Sequence, residues 1–176
     1  MKRYLFLVAL TFILSCKSSN NSLASTETKP EIEINQVLCP TDGNCKIQLH
    51  YNSSLILKKD TIDKLYPVIE DGNHIVVEYA FSRKGPEGTA DGDYSETIYF
   101  EIDEKVDVLN LEGDKLADVN LIFGKECFCR DEAGYYKVNE GNLSFQKSKD
   151  EISIDLSFEL NEISHRISRI KKTVKL

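Results

Sequence analysis

The segment Glu151–Asn161, EISIDLSFELN, decides the predicted fold class. Polar and apolar residues alternate along it, and the apolar ones are Ile152, Ile154, Leu156, Phe158 and Leu160. Because successive side chains of a strand point to opposite faces of a sheet, this period of two predicts a strand with one buried and one solvated face. A shorter alternating segment precedes it at Leu143 and Phe145, and the polar residues Lys147–Asp150 between the two predict a hairpin loop.

The same two-residue period recurs upstream, where turn signals separate the alternating segments. The further apolar sets are Ile47, Leu49 and Tyr51; Ile75, Val77, Tyr79 and Phe81; and Ile98, Phe100 and Ile102. Glycine-centred turn signals occur at Asp42–Asn44, Asp71–Asn73, Glu112–Asp114 and Glu140–Asn142. Short strands at this spacing predict a mainly β protein, an antiparallel β-sandwich or open barrel. Little or no helix is expected, at most one turn over Thr61–Leu65.

The N-terminal residues have the pattern of an export signal. Lys2 and Arg3 precede the apolar run Leu5–Leu14, which is shorter than the roughly 20 residues that a transmembrane helix needs. These features predict a secretory signal peptide that is removed from the mature protein. The residues Ile13-Leu14-Ser15-Cys16 at its end resemble the lipobox of bacterial lipoproteins.

That resemblance implies a lipid-anchored protein of the bacterial cell envelope. It implies that residues 1–15 are the signal peptide and that the Cys16 thiol receives diacylglycerol. Several acyl chains such as palmitate hold a protein firmly on a membrane, whereas one holds it only marginally. Lys17, rather than an aspartate, follows the cysteine, and in the resembled class this favours the outer membrane, on its periplasmic or its surface-facing side.

The residues after Cys16 divide into a tether and a folded domain. Residues 16–30 are rich in serine, threonine and asparagine and have too little apolar surface to pack, so they predict a flexible tether. Residues 31–176 are one domain's worth of chain and carry all the strand patterns, so they predict a single β domain.

The charge of the chain argues against nucleic-acid binding. The formal net charge is −7 at pH 7, and an acidic surface repels phosphate backbones. The exception is a basic C-terminus, whose charged residues are Arg166, Arg169, Lys171, Lys172 and Lys175. Lysines on an edge strand prevent association between sheets, so this cluster predicts a solvated edge strand rather than a binding site.

Four cysteines follow Cys16, namely Cys39, Cys45, Cys127 and Cys129, and in an exported chain they predict disulfides. Two cysteines spaced as C-x-C on one strand face would be about 6 to 7 Å apart, too far for a direct bridge. We therefore expect bridges between the Cys39/Cys45 pair and the Cys127/Cys129 pair. Two alternatives stay open: local bridges within each pair, with a kink at Cys127–Cys129, or a thiolate site for zinc or copper(I).

No motif indicates catalysis. The chain has no G-x-S-x-G elbow, no H-E-x-x-H and no Walker loop, and its three histidines are far apart in the sequence. We therefore expect a protein that is not an enzyme and that has no cofactor, no catalytic residues and no metal site.

The segment Ser82–Ser95, SRKGPEGTADGDYS, is the candidate contact surface. It joins two strongly alternating segments and is longer than the two to five residues of ordinary hairpin loops, and long loops often carry function. Its candidate contact residues are Arg83, Lys84, Asp91, Asp93 and Tyr94, with Tyr94 as the aromatic anchor.

Two functions follow from these features. The first is a non-catalytic envelope lipoprotein, a tethered β-sandwich that binds a protein, a glycan or another envelope component. The alternative is an inhibitor or immunity protein that blocks a lysozyme or a protease. A hydrolase is a third and weaker hypothesis.

Overall fold

The computed structural model describes residues 39–176, and the proposed signal peptide, Cys16 and the tether lie outside the described residues. The described chain forms antiparallel strands and one short helix. The strands are β1 (Asn44–Lys59), β2 (Leu65–Asp71), β3 (His74–Arg83), β4 (Tyr94–Asp103), β5 (Val108–Glu112), β6 (Ile122–Glu126), β7 (Gly134–Lys137), β8 (Glu140–Lys147), β9 (Glu151–Glu159) and β10 (Arg169–Lys175). A 3-10 helix, Gly113–Val119, lies between β5 and β6. Among the described residues, no helix is long and apolar enough to cross a bilayer.

The strands form two sheets. The first is six-stranded, in the order β2-β1-β3-β4-β6-β7, and the second is four-stranded, in the order β10-β9-β8-β5. Every strand pair is antiparallel. The architecture therefore confirms the predicted mainly β class, with a curled sheet packed on a second one as in a β-sandwich or open barrel.

The main core lies between the two sheets. Val77 and Phe100 of the first sheet and Phe145 and Leu156 of the second are buried in one hydrophobic cluster. Each of these side chains occupies the apolar phase of its strand, as the two-residue period predicts. Full burial of one such side chain stabilises the fold by about 1.5–3 kcal/mol.

The first sheet curls until its edge strands β2 and β7 approach each other. The curl encloses a second, smaller hydrophobic cluster formed by Leu55, Val76 and Ile122, with Tyr99 and Tyr135 packed against it. These residues lie in the opposite strand phase from the main core. The central strands of this sheet are therefore apolar on both faces over part of their length, as Ile75, Val76 and Val77 show.

Two local predictions are wrong. The segment Thr61–Leu65 is not a helical turn but the tight turn between β1 and β2, where the Asp60 carboxylate accepts hydrogen bonds from the backbone of Ile62 and Lys64. The predicted turn at Glu140–Asn142 lies inside β8. Gly141 has a φ of 142° and a Cβ there would collide with the Ser157 carbonyl oxygen, so this glycine serves a close approach of β8 to β9.

The hairpin loop predicted at Lys147–Asp150 and the basic edge strand are confirmed. β8 ends at Lys147 and β9 begins at Glu151, and Ser148 accepts and donates the hydrogen bonds that close the turn. In the described part of the chain β10 lies at the edge of the second sheet, and Arg169 of β10 contacts Asp155 of β9 at 2.9 Å.

The favoured disulfide pairing is wrong, and the local alternative is what the structure has. Cys39 is bonded to Cys45, with 5.9 Å between their Cα atoms, and Cys127 is bonded to Cys129, with 5.1 Å between theirs. The argument from strand spacing fails because β6 ends at Glu126. The chain bends at Cys127 and Phe128, which brings the Cα atoms closer than an extended strand allows.

Candidate functional site

The candidate contact loop is held in shape by its own hydrogen bonds. β3 and β4 remain paired as far as Arg83 and Tyr94. Beyond that pair, the Asp93 carboxylate accepts hydrogen bonds from the Lys84 ammonium at 2.6 Å and from the Gly85 amide at 3.0 Å. These donors lower the pKa of Asp93, with the Lys84 side chain the largest cause. The loop therefore has a defined base rather than a free tip.

The structure brings all five predicted contact residues to one groove of about 630 Å³. One wall is the loop, and the other is formed by the end of β6 and the Cys127–Cys129 turn. The groove residues are Asn44, Ser82, Arg83, Lys84, Asp91, Asp93, Tyr94, Ser95, Glu126, Cys127 and Phe128. We call this surface the groove below. It joins elements that are far apart in the sequence, so the sequence alone could not assemble it.

The exposed aromatic residue of the groove is Phe128, which sequence analysis missed. Its side chain is 88% exposed, the highest value among the exposed large apolar residues of the described chain. The available signal was the C-F-C pattern itself, since the bridge across one residue accompanies the bend at Cys127 and Phe128, where this side chain is exposed. An aromatic side chain held in water at the rim of a groove is a typical contact residue.

Tyr94 lines the groove but does not project as the predicted anchor. Its hydroxyl group is turned inward and donates a hydrogen bond to the Glu96 carboxylate. Two cations lie close to its ring, with the Arg83 guanidinium 5.4 Å and the Lys125 ammonium 5.6 Å from the ring centroid. Burial, followed by the hydrogen bond to Glu96, raises the pKa of Tyr94. Tyr94 therefore supports the groove floor.

Below the groove lies a buried carboxylate, Glu96. It is 0% exposed and occupies the same strand phase as the core residues Ile98 and Phe100. Its two oxygens accept hydrogen bonds from the backbone amides of Arg166 at 2.7 Å and Ile167 at 2.8 Å, in addition to the Tyr94 hydroxyl. Three donors compensate for the burial of the charge, and they fix the segment between β9 and β10 against β4.

The cross-strand neighbour of Glu96 is a buried lysine, Lys125, which is 3% exposed. Its ammonium group donates hydrogen bonds to the Glu132 carboxylate, to the Ser164 carbonyl oxygen at 2.6 Å and to the Ser164 hydroxyl at 3.0 Å. Lys125 and Ser164 also lower the pKa of Glu132, with Lys125 the larger cause. A serine beside a buried lysine resembles a nucleophile with its base, but all three ammonium protons have acceptors here, so Lys125 acts as a structural cation.

A surface ion pair at the same end of the molecule joins Asp42, which precedes β1, to Arg166, which lies between β9 and β10. Asp42 accepts two hydrogen bonds from the Arg166 guanidinium, both at 2.7 Å, and one from Arg83 at 3.2 Å. The Arg166 guanidinium also lies 5.4 Å from the centroid of the Phe81 ring. The two arginines hold the pKa of Asp42 below its usual value, with Arg166 the larger cause. The groove residue Arg83, on the first sheet, therefore shares Asp42 with Arg166, which lies next to the second sheet.

Other surfaces of the described chain are less specific. A second groove of about 720 Å³ on the outer face of the second sheet is lined mainly by polar side chains such as Asn110, Asn142 and Asp155, and Asp155 is already paired with Arg169. Within residues 39–176, no three histidine, cysteine or acidic side chains converge closely enough to hold a metal ion.

No family model, curated protein or solved structure matches this chain. The groove and its supporting polar residues therefore have to be interpreted from their own chemistry. Exposed aromatic surface, mixed charge and a rigid base are the features of a surface that binds a partner.

Proposed function

We propose that this protein is a non-catalytic lipoprotein of the bacterial cell envelope that binds a protein partner through the groove. The proposal has two parts: an anchor at Cys16, which rests on the N-terminal sequence pattern, and a binding surface at the groove. The parts are tested separately because either one can fail alone.

The anchor is supported by the lipobox-like residues that end at Cys16. Acyl chains on this thiol would hold the mature domain on a membrane. We expect Cys16→Ser to move the protein from the membrane fraction of lysed cells to the released fraction. A variant that stays with the membranes as the parent does would contradict the anchor, and Ser18→Ala, two residues further along the chain, serves as the control.

The single observation that supports the binding surface is the position of Phe128 at the rim of the groove. Burial of a fully exposed phenylalanine on association removes apolar surface from water and contributes about 1.5–3 kcal/mol. Around it, Lys84, Asp91 and Asp93 supply charges of both signs. A protein surface with an apolar pocket and a charged rim matches this pattern. The cross-linking test described below also has binding of a glycan or another envelope component as one of its outcomes.

The binding surface is tested by chemical cross-linking in intact cells, followed by purification of this chain. We compare the parent, Phe128→Ala and Ile62→Ala. Ile62 is 73% exposed on the turn between β1 and β2, at the far end of β1 from the groove residue Asn44, and is the matched control. We expect one dominant cross-linked species whose yield falls at least fivefold in Phe128→Ala and is unchanged in Ile62→Ala. Equal yields in all three would contradict the proposal.

The alternative, an inhibitor of a lysozyme or protease, is favoured by the same turn. Phe128 protrudes on a turn closed by a bridge, and a short protruding loop of fixed shape is suited to an enzyme cleft because little conformational entropy is lost on binding. The purified domain added to a lysozyme digest of cell walls, or to a protease assay, distinguishes the two functions. Inhibition that Phe128→Ala abolishes would favour the inhibitor.

A further inference from the structure

The two bridges of this chain occupy different environments. Cys39 and Cys45 pack against the main hydrophobic core. Cys127 and Cys129 follow the last residue of β6, Glu126, and among the described residues they belong to neither hydrophobic cluster. Of these four cysteines, Cys127 is the one that lines the groove. A molecule bound in the groove would therefore meet the Cys127–Cys129 bridge but not the Cys39–Cys45 bridge.

The Cys127–Cys129 bridge contributes little to holding the fold together. Its cysteines are separated by 2 positions of sequence, whereas those of the Cys39–Cys45 bridge are separated by 6. The entropic stabilisation from a cross-link rises with the length of the loop that it closes, so the shorter bridge stabilises less. The pairing of β6 with β7 runs from Ile122 to Lys125 on β6 and does not include the cysteines. The strands can stay paired when this bridge is open.

The surroundings of the bridge suit an exchange reaction. Attack on a disulfide needs access to a sulfur atom, and Cys127 opens onto a groove of about 630 Å³. Between the two sulfurs, the exposed Phe128 offers an apolar contact for the attacking molecule.

We propose that Cys127 and Cys129 form a thiol–disulfide exchange site that accepts electrons from a dithiol protein bound in the groove. A thiol of the partner loses its proton, the resulting thiolate attacks the Cys127 sulfur, the Cys127–Cys129 bond breaks, and Cys129 leaves as a thiolate that takes up a proton. The second thiol of the partner loses its proton and attacks the partner sulfur of the mixed disulfide. Cys127 then leaves as a thiolate and is protonated. The partner dithiol is oxidised to a disulfide, and Cys127 and Cys129 become two thiols, with two electrons and two protons transferred.

The first test uses the full-length parent chain and needs no variant. The protein is equilibrated with dithiothreitol buffers of graded ratio of reduced to oxidised form, the thiols are alkylated, and peptides carrying each cysteine pair are quantified by mass spectrometry. We expect the Cys127–Cys129 pair to be half reduced at a ratio at least tenfold lower than the Cys39–Cys45 pair. Simultaneous reduction of the two pairs, or earlier reduction of Cys39–Cys45, would overturn the proposal.

The second test asks whether Cys127 is the sulfur that reacts. Cys129→Ser leaves Cys127 as a free thiol beside the groove, and Cys39→Ser leaves Cys45 as the matched free thiol against the core. With oxidised glutathione as the probe, we expect Cys127 to form the mixed disulfide at least fivefold faster than Cys45. Equal rates, or slower modification of Cys127, would overturn the proposal. Because no partner is needed, this result is independent of whether the groove binds a protein.

Discussion

Glu96 and Lys125 lie directly opposite each other on β4 and β6, and both hold the same short segment of chain. Glu96 accepts hydrogen bonds from the backbone amides of Arg166 and Ile167, and Lys125 donates to the carbonyl oxygen and hydroxyl of Ser164. Two buried charges of opposite sign thus position the connection between β9 and β10. This connection carries Arg166, which binds Asp42, and Asp42 also accepts a hydrogen bond from the groove residue Arg83.

Replacement of Glu96 by glutamine tests whether this carboxylate is a structural acceptor. The amide nitrogen of glutamine is a donor and would face a backbone N–H that now has no acceptor. We expect Glu96→Gln to lower the free energy of unfolding by about 1–3 kcal/mol, measured by urea denaturation. Glu87→Gln, at an exposed loop position, is the control and should change it by less than about 0.5 kcal/mol. A Glu96→Gln protein as stable as the parent would contradict the role given to Glu96.

The ion pair of Asp42 with Arg166 predicts a specific dependence of stability on pH. Arg166 and then Arg83 lower the pKa of Asp42 in the folded state, so the folded protein binds this proton less well than the unfolded chain. The stabilisation is therefore complete above the unfolded pKa of about 3.9 and is lost as pH falls through the folded value. We expect the parent to melt higher than Asp42→Asn at pH 7.

The difference in melting temperature between the parent and Asp42→Asn should then shrink as pH falls below about 4, which is near the pKa of an unfolded aspartate. Thermal unfolding followed by circular dichroism from pH 7 to pH 2.5 measures it. A difference that stays constant over this range would show that Asp42 does not act through its charge.

Substitutions at Gly141 and Gly88 distinguish the two reasons why a position needs glycine, a close approach of backbone and a positive φ. Both have positive φ, but a Cβ at Gly141 would collide with the Ser157 carbonyl oxygen, whereas a Cβ at Gly88 would meet no atom within 4 Å. We expect Gly88→Ala to cost only the backbone strain of about 1 kcal/mol and Gly141→Ala to cost clearly more, because β8 has to move away from β9. Denaturation midpoints of the two variants decide this, and equal losses would contradict the close approach.

Phe123 and Phe128 are five residues apart, and substitutions at the two positions compare a core residue with a proposed contact residue. Phe123 is fully buried in the main core, whereas Phe128 is in water. We expect Phe123→Ala to lower the free energy of unfolding by about 3–5 kcal/mol and Phe128→Ala to change it by less than about 0.5 kcal/mol. A large loss of stability in Phe128→Ala would mean that this side chain packs in the folded protein and is not held out for a partner.

The sequence predicted the parts of this structure that depend on neighbouring residues. The period of two in Glu151–Asn161 defines β9, since the phase of a strand is a local property. The sequence leaves the bend at Cys127 open only as an alternative, because the bend depends on where the pairing of β6 ends. The favoured disulfide assignment is wrong for that reason. The sequence predicts a turn at Gly141 because it does not show that the Ser157 carbonyl oxygen of β9 lies close to this glycine.

The burial of Glu96 and Lys125 could have been predicted from their positions in the alternating strand pattern, although their hydrogen-bond partners could not. Glu96 is in register with the apolar face of Ile98 and Phe100, and Lys125 is in register with Phe123, so each charge falls on a face that is otherwise buried. A charge in that phase predicts a compensating set of hydrogen bonds. Apart from Tyr94 and Glu132, the partners of these two charges come from the connection between β9 and β10, about 40 to 70 residues away in the chain.

We propose that the groove beside Phe128 is where this protein meets a partner. Site-specific photo-crosslinking in intact cells tests it most directly, with a benzophenone amino acid placed at position 128 and, as the control, at the exposed position 62. We predict a discrete cross-linked protein band from position 128 and none of that mass from position 62. Position 62 giving the same band, or position 128 giving none, would contradict the claim.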